Sequence, residues 1–188
     1  SSCERALALD PVGLIPGMLM AISLEALGRS EEAMVQLDRT LALYPDVAMA
    51  HFLRAGLLLR LGRAVEAEEN LEYLGRLEGF SNPASLRDLA RSYPGATASS
   101  GAIDAVRGLE RETGSGLYYV AAFYDWAGSE AEALRVVEDG LAARNPWQGF
   151  AAVFSEYDGL RQNQRFQEIL RSLGYPNGNY AYRSSLSG

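Results

Sequence analysis

The sequence has one cysteine, Cys3, and one histidine, His51. That count excludes a disulfide framework and a Cys/His zinc site, and lone-cysteine usage fits a reducing, cytoplasmic setting. Long apolar runs are also missing. The most apolar stretch, Val12 to Ile22, is interrupted by Pro16 and Gly17, whereas a helical membrane span needs about 20 apolar residues. The opening SSCERALALD carries charges where a secretion signal has its apolar core. Positive charge is in deficit, with 17 Lys+Arg against 24 Asp+Glu and a net charge of −7. Such an acidic surface repels phosphate backbones, so direct nucleic-acid binding is not expected, and the short apolar runs give no expectation of a membrane partner. PGATASSG at 94–101 lacks the Gly-Lys-Ser/Thr ending of a phosphate loop.

What the sequence does contain is a period. Shifted by 34 residues, Pro11 falls on Pro45, Ala21 on Ala55, Leu27-Gly28-Arg29 on Leu61-Gly62-Arg63, Ala33 on Ala67 and Leu37 on Leu71. A third copy at 118–146 puts Ala121, Gly128, Ala133 and Val137 in the matching places. Each copy reads as two helices. Gly28, Gly62 and Gly128 suit a helix C-terminus that needs positive φ. Ser30 and Ser129 are expected to cap the second helix, with early Glu residues at its positive end. Small Ala33, Ala67 and Ala133 allow close helix packing, and Pro11, Pro45 and Pro146 end the second helix.

These residues resemble the tetratricopeptide repeat, a helix–turn–helix unit of 34 residues. The resemblance implies an all-α superhelix of stacked hairpins, a solenoid closed by a capping helix. Residues 1–11 match the second helix of a truncated repeat, with Cys3 at an inward position. Residues 14–81 hold two units, 82–113 a degenerate unit, 114–147 a further unit and 148–176 a capping segment, and 177–188 form a flexible tail. In the degenerate unit, Leu86, Leu89 and Tyr93 are expected to face Ile103, Val106 and Leu109. The last strong copy and the tail together are similar to the C-terminal region of bacterial class III adenylate cyclases and winged-helix regulators. The tail carries the resemblance in Leu160-Arg161, Arg165-Phe166 and Leu173-Gly174, with Gln164 where relatives have proline. The resemblance implies a regulatory arm of a larger cytoplasmic signalling protein whose catalytic or DNA-binding part lies elsewhere.

No residue set reads as catalytic, cofactor-binding or metal-binding. His51 reads as a packing residue. SEEA and EAEEN read as solvated helix starts rather than paired acids. Arg87, Arg91, Arg107 and Arg111 read as ion-paired surface beside Asp88, Asp104, Glu110 and Glu112. Repeats of this kind bind partners along the inner side of each first helix. Helical spacing puts Ile15, Met18, Ile22 and Glu25 there, then Met49, Phe52, Gly56 and Leu59, then Tyr118, Ala122, Asp125 and Trp126. This lining is apolar and aromatic and lacks the Lys/Asn clamp for a terminal carboxylate. The expected partner is an apolar helix or extended hydrophobic segment, or the protein's own upstream domain. The alternatives are a ligand-sensing repeat domain and a homodimer.

Overall fold

The computed structural model describes residues 13–93, 99–114, 119–145 and 154–175. The expectations for residues 1–11, Tyr118, Pro146 and 177–188 lie outside the described residues. Those residues form helices and turns, with no strand among them. Helices α1 (Leu14–Ala26) and α2 (Ser30–Leu43) make one hairpin, and α3 (Ala48–Arg60) and α4 (Ala64–Leu77) the next. A 3-10 turn at Pro83–Leu86 enters α5 (Arg87–Ser92), which packs on α6 (Ser100–Thr113). Helices α7 (Val120–Trp126) and α8 (Glu130–Ala142) form a third hairpin, and a 3-10 stretch, Ser155–Gln162, leads into α9 (Gln164–Ser172).

Local chemistry sets the hairpin turns. Gly28, Gly62 and Gly128 have φ of 74°, 73° and 79°, a region that costs an L side chain roughly 1–2 kcal/mol. The positive φ turns the next N–H back into the helix. Arg29 N donates to Leu24 O, Arg63 N to Leu58 O, and Ser129 N to Tyr124 O, over 2.8–2.9 Å. These i to i−5 bonds satisfy carbonyls that a helix end otherwise leaves open. The alanines expected at close helix approaches, Ala33, Ala67 and Ala133, are all buried.

The expected caps are corrected. Ser30 is already the first helical residue, and Ser129 makes no side-chain cap bond. Ser129 has ψ 74°, whereas the capping Ser99 and Asn163 have ψ 112° and 126°. Only the more extended backbone swings the side-chain oxygen onto a free amide. At the first two hairpins an arginine holds the helix start instead. Arg29 forks onto Glu32 and Arg63 onto Glu66, each through two bonds of 2.6 Å. The bonding holds both carboxyls below their usual range.

All 17 cationic side chains of the sequence are arginine, and the planar fork of that residue suits bridging between helices. Arg54 pairs with Asp38 across α3 and α2, Arg91 with Glu68 across α5 and α4, and Arg135 with Glu110 across α8 and α6. Arg87 and Arg107 also find partners on other helices, Glu72 and Glu132, over 2.5 and 3.2 Å, while the expected local pairs Arg91–Asp88 and Arg107–Asp104 form at 3.0 and 3.6 Å. Glu112 accepts from the Ser81 backbone and hydroxyl instead of pairing with a neighbouring arginine. Leu86, Leu89, Val106 and Leu109 are buried together under the 3-10 turn, α5 and α6, with Ile103 and Tyr93 partly covered.

Most packing joins elements that follow one another along the chain. The stretch Ser155–Gln162 departs from that order by lying against α3 and α7.

Candidate functional site: a cleft filled by the chain itself

Helix α3 carries Phe52, Gly56 and Arg60 at intervals of four residues, which aligns them along one face. Phe52 stacks on Trp126 of α7 with centroids 5.8 Å apart and meets Phe154 edge-on at 6.5 Å. Phe154 opens a segment, 154–162, called here the strap. The strap crosses the cleft between α3 and α7 and reaches α1 through a shared ion pair.

Arg60 holds that ion pair together. Its Nε donates to Glu25 of α1 at 2.8 Å and its Nη2 to Glu156 of the strap at 3.0 Å. The three side chains are 17%, 9% and 3% exposed for Arg60, Glu25 and Glu156, so water screens the cluster weakly. Burial pushes the Glu156 carboxyl up, and the Arg60 charge opposes that shift. Desolvation works against the Arg60 cation, yet Glu156 and Glu25 together raise its pKa. Two carboxylates thus converge on one guanidinium.

The strap backbone is held as well. The Trp126 indole Nε1 donates to Glu156 O at 3.2 Å, and the Gly159 N–H donates to Asp125. Burial, aided by the charges of Glu130 and Asp158, pushes the Asp125 carboxyl up to about 7. Two glycines make room for these contacts. A Cβ on Gly56 would lie 2.7 Å from Glu156 Oε1, and one on Gly159 would fall inside the Asp125 carboxylate. The strap also braces itself, since Arg161 donates to Asp158 at 2.6 Å and to Phe154 O at 3.0 Å. Tyr157 stacks on Phe166 of α9 at 6.3 Å. The amide of Phe166 is capped by Asn163, which starts α9 without the proline of the resembled tails.

The residues read from sequence as a partner-binding face divide three ways. Met49, Phe52, Leu59 and Trp126 are buried, and Phe52 and Trp126 meet directly. Met18 is buried on α1, and Ile22 beside it lines a cavity of about 20 Å³ with Glu25, Arg60 and Glu156, room for a single water. Ile15 is 56% exposed and takes no part in the cleft. Asp125 lies at the cleft edge, half-buried against the strap. Sequence reading missed Arg60 and Glu156. The spacing 52, 56, 60 was the available signal for Arg60, because it continues the stripe that named Phe52 and Gly56. No local pattern announces Glu156, which lies 96 positions from Arg60.

His51 stands away from this cleft. Its Nδ1 is 3.0 Å from Asn70 Oδ1, its Nε2 is 2.7 Å from Pro45 O, and Asn70 donates back to His51 O at 2.7 Å. The imidazole thus ties α3 to α4 and to the preceding turn. Among the described residues, no cluster of His, Cys, Asp or Glu is arranged to hold a metal, and no helix is long and apolar enough to cross a membrane. No family model, curated protein or solved structure matches the chain.

Proposed function

We propose that this chain is a non-catalytic protein-interaction and regulatory arm, built as a tetratricopeptide-like array. By its resemblance it is the C-terminal arm of a larger bacterial signalling protein, a cyclase or a transcriptional regulator. One observation carries the reading. Side chains of neighbouring helices gather one short 3-10 stretch of polypeptide through aromatic packing, a buried ion pair and bonds to its backbone. Those are the means by which a groove recognises a peptide. The sensor reading has less support, because the cleft cavity of about 20 Å³ holds a water and not a metabolite, and the wider pocket of about 520 Å³ beside Arg107, Tyr124 and Arg135 is lined by side chains that already pair with one another.

The test compares partners recovered with the full-length product from its own cells, wild type against Arg60→Gln, with Arg39→Gln on the exposed face of α2 as control. The reading expects at least one partner whose recovery falls several-fold with Arg60→Gln alone. Identical partner sets, with the helical circular-dichroism spectrum retained, would count against it.

A further inference from the structure

The chemistry of the strap describes what else the cleft would accept. We propose that the cleft between α1, α3 and α7 is a receptor for a protein segment of the pattern aromatic–x–Glu–x–x–Gly, and that residues 154–159 are its exchangeable occupant in cis. The inference rests on the interaction-arm reading and names the partner's chemistry.

Each position of the pattern has a counterpart in the cleft. The aromatic ring packs on Phe52, as Phe154 does at 6.5 Å. The glutamate carboxylate meets Arg60, and its own carbonyl meets the Trp126 indole. The glycine passes Asp125 at a distance no side chain tolerates and donates its N–H there. Aspartate in place of glutamate is one methylene short of Arg60, and any larger residue at the glycine position collides with Asp125. Selectivity therefore comes from one charge, one ring and one absent side chain.

The argument for exchange lies in Glu25. Truncating one partner of a buried ion pair normally strands the other charge, which makes release costly. Here Arg60 retains Glu25 at 2.8 Å when the strap leaves. Glu156 also shares its cation with a second carboxylate, and burial already disfavours its charged form. The ion pair holds the strap less tightly than a lone buried pair would, which leaves the burial of Phe154, Tyr157 and Leu160 as the main tie, and the empty cleft remains neutralised. Bracing by Arg161, which spans Phe154 O and Asp158, keeps the strap shaped while it is out. A tethered occupant competes at an effective concentration on the order of millimolar, so a partner must be abundant, multivalent or tighter-binding to displace it.

The experiment uses the whole 188-residue chain and a fluorescein-labelled peptide of residues 154–163, FSEYDGLRQN, read by fluorescence anisotropy. The host is the Phe154→Ala/Glu156→Gln chain, in which the tethered occupant is weakened. Expected are saturable binding to this host, at least tenfold weaker apparent binding to the wild-type chain, and a loss of ~30-fold or more when the peptide carries Glu156→Gln or the host carries Arg60→Gln. If the double variant does not fold, a spin-labelled peptide is titrated into the wild-type chain, where broadening of the Trp126 indole resonance reports entry into the cleft.

No binding to a folded host, and no broadening in the wild type, overturns the proposal. Binding that ignores Glu156→Gln in the peptide overturns it too, as apolar adhesion. Concentration-dependent dimers of the unlabelled host in ultracentrifugation, abolished by free peptide, overturn it in favour of strap exchange between two copies. Peptide binding with an unchanged set of cellular partners leaves this inference standing and sinks the interaction-arm reading. The converse pattern does the opposite.

Discussion

Replacing Arg60 with alanine isolates the energetics of the cleft. The guanidinium is 17% exposed and stands between carboxylates 9% and 3% exposed. Its removal leaves Glu25 and Glu156 sharing a buried site with no cation. Breaking a buried pair in this way costs roughly 3–5 kcal/mol. Part of that is recovered when Glu156 takes up a proton, each unit of pKa rise costing about 1.4 kcal/mol at neutral pH. A net loss of about 3 kcal/mol is expected near pH 7, or a Tm lower by roughly 6–12 °C for a chain of this size. The sign of the pH dependence follows from burial. Glu156 is raised in the folded state even with Arg60 present, and without Arg60 it rises further. A group raised on folding contributes stability that is full below its unfolded pKa and lost as pH rises through the folded one. The deficit of the variant therefore shrinks as pH falls from about 7 toward about 4. Adding Glu156→Gln to Arg60→Ala removes the stranded charge and is expected to restore at least half of the loss, a coupling read from a double-mutant cycle. Thermal and urea unfolding of the four proteins at several pH values make the measurement. A deficit below about 1 kcal/mol at pH 7, or one that does not change with pH, would show that water screens the cluster and would refute this account.

Two further expectations concern the strap. Asp125, pushed up to about 7, is a raised carboxyl, so its contribution is full below about 3.9 and lost as pH rises through about 7. The wild type is expected to lose about 2–4 kcal/mol across that window relative to Asp125→Asn. Parallel pH profiles for the two in urea unfolding rule this out. Gly56→Ala gains about 1 kcal/mol of helix propensity in isolation, but its Cβ would lie 2.7 Å from Glu156 Oε1 and 3.0 Å from its Cγ. The clash is expected to dominate, with a net loss of about 1–3 kcal/mol and faster exchange of the Trp126 indole proton. A stabilised Gly56→Ala chain would mean that the strap does not depend on this close approach.

Much of the fold was legible because it is decided locally. Gly28, Gly62 and Gly128 announced three turns, since an L side chain at φ near +75° is strained whatever surrounds it. Leu86, Leu89, Val106 and Leu109 announced their shared core by helical spacing. Capping was misread at Ser30 and Ser129, because a cap needs a particular ψ and not only a hydroxyl. The candidate site was half legible. Phe52 and Trp126 read in the sequence as surface for a partner, and both are buried within the chain.

By itself the sequence determined the three glycine turns, which alanines are buried between helices, and the helical character of the described residues. Turn glycines and apolar spacing act over a few residues and depend little on distant context. Only the tertiary structure decided that residues 154–162 fill the cleft, and that Arg60 joins Glu25 and Glu156 from positions 35 and 96 residues away. Pairing across such separations is fixed by the summed packing of whole helices and by the desolvation of charge between them, and neither leaves a periodic mark in the sequence.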